Sequence, residues 1–151
     1  MKNKLALMAL LIATPAMADD VGFNHGKSII FHLKSKHAGQ QELNESNPGL
    51  SYRQGIDGKN LFATAGFFRN SFNRTSVYAG IGKTFYTAGP AAFSLTGGVT
   101  TGYIEVLTPA LIPEVSFHYK NTAFIIGYIP GVRYKDVYTI PAFTFSVSAR
   151  F

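Results

Sequence analysis

The run Phe143-Thr144-Phe145-Ser146-Val147-Ser148-Ala149-Arg150-Phe151 decides the fold. Phe143, Phe145, Val147, Ala149 and Phe151 fall on one face, and Thr144, Ser146, Ser148 and Arg150 on the other. Strict alternation of this kind is a β-strand. The chemistry of the two faces says more. A soluble sandwich also alternates, but it rarely turns an arginine toward its core. A transmembrane barrel has a lumen for the polar set and lipid for the aromatic set.

The rest of the chain repeats the pattern. Thirteen Phe, eight Tyr and fifteen Gly are spread over short alternating runs with almost no helical period. The runs lie at about 27–37, 48–55, 60–70, 74–86, 91–101, 112–120, 122–130 and 138–151. The expected fold is all-β, an eight-stranded antiparallel outer-membrane β-barrel. The closing Phe151 resembles the terminal aromatic that serves outer-membrane barrels as an assembly signal. Residues 1–18 read as a secretory signal: Lys2 and Lys4, then the apolar Leu5 to Ala13, then Ala16-Met17-Ala18. The apolar run is far shorter than the roughly 20 residues of a membrane-spanning helix. The expected mature domain is 19–151, placed in the outer membrane of a Gram-negative bacterium.

Removing Lys2 and Lys4 leaves twelve Lys and Arg against eight Asp and Glu, a formal charge of +4. The charges are scattered, which argues against nucleic acid and for an anionic membrane surface. There is no cysteine, and the four histidines show no metal spacing, so no metal or cofactor is expected.

Residues 67–82 form a hairpin with a polar tip at Asn70-Ser71-Phe72-Asn73. The tip sets a hydroxyl beside an amide. On the returning strand Tyr78, Gly80, Gly82 and Thr84 point inward, and the glycines leave space where side chains would be. Phe68 faces the same lumen, with Phe62, Thr64 and Gly66. On the first strand His32, Lys34 and Lys36 are expected to share the inward face. His118 and Glu114 are expected to form a structural polar pair lower down. Pro109 and Pro113 flank the start of the sixth run and Pro130 ends the seventh; they read as strand ends, or as a gap admitting a lipid chain sideways. With Phe151 at the periplasmic rim, the short connections are periplasmic, and the Asn70-Ser71 tip faces outside.

These pieces resemble, in order, the lipid A palmitoyltransferases of the PagP family. The matching residues are His32, Asn44-Glu45 with Asn47-Pro48-Gly49, Asn70-Ser71-Phe72-Asn73, Ala79-Gly80-Ile81-Gly82, Leu111-Ile112-Pro113, Gly127-Tyr128-Ile129-Pro130-Gly131 and Arg150-Phe151. The similarity runs from about Ile29 to Phe151. It implies a barrel that moves a palmitoyl chain from a phospholipid donor to lipid A. By position it implies a catalytic trio at His32, Asn70 and Ser71. It implies an acyl-chain pocket with Gly82 at its floor, lined by Tyr78, Gly80 and Phe68, and lateral lipid access at Pro113 and Pro130.

Two departures stand out. Asn70 occupies the position of the family's Asp, and the segment 19–27 is too short for the family's amphipathic helix. An amide orients an imidazole without supplying charge, so Asn70→Asp is expected to raise transfer. The alternative is a catalytically inactive lipid-binding or structural barrel of the same fold. A monomer is expected. An adhesin or exclusion barrel is disfavoured by the short tip Asn70 to Arg74.

Overall fold

The structure is a computed structural model and describes residues 26–39, 42–56, 60–103, 107–131, 133–134, 137–138 and 140–151. The signal read at 1–18 lies outside these residues. The strands are β1 (Lys27–His37), β2 (Ser46–Ile56), β3 (Leu61–Arg69), β4 (Thr75–Ala88), β5 (Ala91–Thr100), β6 (Thr108–Tyr119), β7 (Thr122–Ile129), the short β8 (Arg133–Tyr134) and β9 (Val137–Tyr138), and β10 (Ala142–Arg150). Eight of them close a barrel in the order β1-β10-β7-β6-β5-β4-β3-β2, every pairing antiparallel. The β8–β9 ribbon stands apart. Closure pairs each of these strands on both sides along most of its length, which removes the long free edges of an open sheet.

The burial pattern is that of a soluble protein turned inside out. The buried positions are mostly small and polar: Ser51, Thr64, Ser76, Thr84, Ser94, Thr96, Ser116, Ser146 and Ser148. The outward positions are large and apolar, among them Phe31, Leu33, Phe67, Val77 and Leu111. Ile81 is 60% and Phe85 59% exposed, a loss of apolar burial that only a hydrocarbon surround would offset. Aromatics gather toward both ends of this band, with Phe67, Tyr128 and Phe143 at one and Phe85, Tyr86, Phe117 and Tyr119 at the other. Outward rings on adjacent strands also pack on each other, as Tyr128 and Phe143 do at 5.2 Å.

The two ends differ in connection length. β4–β5 and β6–β7 are joined by two residues each, 89–90 and 120–121. Residues 38–45, 70–74, 101–107 and 130–141 make the connections at the other end. The long connections therefore gather at one end, termed the loop end here, and the tight ones at the turn end.

β1 departs from the expected alternation. Its register shifts between His32 and Lys34 against both neighbours, a β-bulge. The bulge reverses the phase of the strand above it. Ser28, Ile30 and His32 face the lumen below it, and Ser35 and His37 face the lumen above it. Lys34 and Lys36 are thereby turned outward, a correction to their expected place beside His32. Two ammonium groups are better hydrated at the rim than in the lumen.

The mid-lumen is filled. Arg53 Nη2 donates to Glu114 Oε2 at 2.8 Å, and its guanidinium lies 4.1 Å over the Phe62 ring. Thr96 Oγ1 donates to the other Glu114 oxygen at 3.2 Å. Glu114 thus pairs with Arg53, and His118 Nε2 hydrogen-bonds with Ser116 Oγ at 2.8 Å, so the expected Glu114–His118 pair does not form.

Candidate functional site at the loop end

The β3–β4 tip is a rigid turn. Asn73 N–H donates to Asn70 O at 3.1 Å, and Asn70 N–H to Arg74 O at 2.8 Å. Asn73 takes φ +60°, which asparagine tolerates better than most residues. Asn70 is fully buried and its amide is saturated. Oδ1 accepts from the N–H groups of Phe72 and Arg74 at 2.9 and 3.0 Å. Nδ2 donates to Ser76 Oγ at 3.0 Å and to Gly102 O at 2.8 Å. Among these hydrogen bonds none reaches an imidazole. Asn70 fixes the tip, and the amide is required because Gly102 O accepts from it.

His32 sits deeper in the lumen. Its Nδ1 meets Ser146 Oγ at 3.1 Å; its Nε2 meets Ser51 Oγ and, at 3.2 Å, Tyr78 OH. Tyr78 O–H donates to Ser51 Oγ at 2.6 Å. The rings of His32, Phe68 and Tyr78 lie mutually 5.8 Å apart. Both ring nitrogens of His32 are therefore engaged within a packed cluster.

Ser71 pairs with a different histidine. Its Oγ lies 2.8 Å from Nε2 of His37, brought to the lumen face by the bulge in β1. The His37 side chain is 7% exposed, and its Nδ1 is buried without a hydrogen-bond partner. Among the described residues the nearest carboxylate is Glu45, whose Oε1 stands 4.0 Å from Nδ1 and accepts from the His37 backbone N–H at 3.3 Å. Lys36 Nζ lies 3.1 Å from each Glu45 oxygen. That hydrogen bond, with the His37 N–H, holds the Glu45 carboxyl below the usual carboxylate range. Asn44 N–H donates to Ser71 O at 3.0 Å, which ties the loop carrying Glu45 to the tip. Phe72 packs edge-on against Tyr103 at 6.0 Å from the other side. Burial pushes the Tyr103 phenol up to about 12, so it stays neutral there.

The residues expected to line an acyl pocket come together, and among the described residues Phe62 takes the space over Gly82. Phe62 and Gly82 are directly paired across β3 and β4, and a Cβ on Gly82 would overlap the Phe62 ring. Gly80 approaches the Gly97 backbone closely. The space read above the glycines is occupied by an aromatic ring from the neighbouring strand.

Pro113 and Pro130 lie beside a break in the β6–β7 ladder. Pro109 and Pro113 lie within β6 rather than beside its start. β6 pairs with β5 along its whole upper part, up to Thr108. With β7 the ladder ends at Glu114–Gly127, although β7 continues to Ile129 and stays paired with β10. Pro113 and Pro130 flank this unpaired stretch. The break is close to His37, since His37 pairs with Ala142 and Ala142 with Ile129. Two strand spacings amount to about 10 Å.

No family model and no curated protein matches the chain. Solved structures do. One, from work on the de novo design of transmembrane β-barrels, has a TM-score of 0.60 at 9% identity, covering 84% of this chain and 97% of that one. Another is the Yersinia pestis outer membrane protein Ail in a phospholipid bilayer nanodisc, with a TM-score of 0.57 at 14% identity, covering 84% of this chain and all of that one. The chain has the fold of an outer-membrane-type β-barrel. At these identities the likeness concerns the fold alone.

Proposed function

We propose that this barrel is an outer-membrane acyltransferase of the lipid A palmitoyltransferase kind, moving a long acyl chain from a phospholipid to lipid A. The observation that carries the reading is the Ser71–His37 hydrogen bond at the loop end, beside the break between β6 and β7. Acyl transfer needs a base at the attacking hydroxyl and a route for the lipid. The pair supplies the first, and the break flanked by Pro113 and Pro130 supplies the second. The loop end then faces the outer leaflet, where lipid A resides. The donor chain sits at the break in the wall, because Phe62, Phe68 and Tyr78 fill the lumen below.

The test is mass spectrometry of lipid A from cells expressing the protein, beside Ser71→Ala and His37→Ala. A palmitate-sized mass gain that both variants lose is the expected result. A second reading, a lipid-binding or structural barrel without transfer, is favoured by the filled lumen and by Asn70 at the family's Asp position. It is supported instead if lipid A from wild-type cells, with the barrel folded in the membrane, gains no mass.

A further inference from the structure

We propose that Ser71, His37 and Glu45 act as a nucleophilic triad, in which Ser71 carries the acyl group covalently and Glu45 positions His37. The proposal rests on the acyl-transfer reading of the site and names its mechanism.

The argument starts from His37. A buried imidazole nitrogen without a partner is unusual, since buried polar groups are nearly always hydrogen-bonded. Here Nδ1 is such a nitrogen, while Nε2 is bound to Ser71 Oγ at 2.8 Å. With the proton on Nδ1, Nε2 is free to accept the Ser71 hydroxyl proton. The group that would hold this tautomer is a carboxylate near Nδ1. Glu45 Oε1 is at 4.0 Å, already hydrogen-bonded to the backbone of the same residue. A movement of about 1 Å brings it into the 2.7–2.9 Å range of a charge-assisted hydrogen bond. Catalytic hydrogen bonds commonly tighten only in the substrate complex. Lys36, 70% exposed and holding both Glu45 oxygens, is the contact that would loosen.

The chemistry balances. Ser71 Oγ attacks the ester carbonyl carbon of the donor while its proton passes to His37 Nε2. The bond from that carbon to the glycerol oxygen breaks, and the imidazolium returns the proton to the leaving oxygen. A lysophospholipid departs, and the acyl group remains as an ester on Ser71. An incoming hydroxyl then gives its proton to Nε2, attacks the acyl carbon and releases Ser71 Oγ, which regains the proton. Glu45 stabilises the imidazolium in both halves.

The test uses the full chain in phospholipid nanodiscs with a fluorophosphonate probe, which phosphonylates activated serines. The modified residue is located by tandem mass spectrometry. The expected result is modification of Ser71, slowed about a hundredfold or more by Glu45→Gln and partly restored by Glu45→Asp, with an unchanged unfolding midpoint. A loss that came only from a displaced loop would lower the unfolding midpoint of Glu45→Gln as well. Modification of Ser51 beside His32, or of no serine, overturns the nucleophile; equal rates for wild type and Glu45→Gln overturn the role of Glu45. The lipid A mass gain is read separately. A gain without Ser71 labelling sinks the triad and leaves acyl transfer standing. Labelling that depends on Glu45 without a gain keeps the triad and removes lipid A as acceptor, leaving water or another lipid hydroxyl to take the acyl group.

Discussion

The mid-lumen and the loop end are built from the same residue types and finished differently. Around Arg53, Phe62 and Glu114 a charge meets a charge and a ring fills the space over a glycine, with Arg53 Nε alone of that trio's polar atoms buried without a hydrogen-bond partner. Around Ser71 a buried imidazole nitrogen lacks a partner, and a carboxylate stands just out of reach. The first arrangement holds the barrel together. The second holds groups in reserve, which is where chemistry is expected to sit.

The contrast can be broken at several points, in decreasing order of effect. Arg53→Ala leaves Glu114 buried and unpaired, and is expected to cost about 3–5 kcal/mol in urea unfolding of the reconstituted barrel. Ser71 labelling of the surviving folded fraction should not change. Asn70→Asp sets a carboxylate oxygen against Gly102 O, and should cost about 3 kcal/mol by the same assay. This reverses the expectation from sequence that it raises transfer; a stable and faster variant would show that the tip can rearrange. Gly82→Ala drives a methyl into the Phe62 ring and should cost about 2 kcal/mol, with Phe62→Leu as a second-site suppressor. If Gly82→Ala is neutral and only shortens the preferred acyl chain, the lumen is a pocket after all. Lys36→Ala should leave the unfolding midpoint unmoved, because the pair it breaks is at the surface. It should raise Ser71 labelling severalfold by freeing Glu45, an effect readable as a rate.

The strands were largely legible from alternation, and β10 most clearly, since aromatics and Arg150 on opposite faces admit few environments. The filling of Gly82 was also within reach. Arg69 pairs with Thr75 at the tip, and counting down the hairpin from there sets Phe62 opposite Gly82. An inward aromatic facing an inward glycine fills a void and does not leave one. What alternation cannot show is a bulge. The register slip after His32 depends on both neighbouring strands, so nothing local in Leu33-Lys34-Ser35 announces it. That slip hid His37 and misplaced Lys34 and Lys36. The one signal was energetic: two lysines assigned to an apolar lumen were a cost without a partner. Nothing in the sequence marks Glu45 for a role, because its approach to His37 is set by the β1–β2 loop.

The unpaired stretch of β6 has a consequence for the backbone itself. His118 N–H donates across to Pro90 O at 2.8 Å, and the β5–β6 register is unbroken, so even-numbered amides of β6 face β5 and odd-numbered ones face β7. Above the last rung with β7, the odd positions are 109, 111 and 113, and two of the three are proline. An amide hydrogen stranded in hydrocarbon costs several kcal/mol, and such a cost would ordinarily zip the two strands shut. Pro109 and Pro113 remove two of the three β6 hydrogens that would do the zipping, so the seam can stay open with only the Leu111 amide of that set turned toward it.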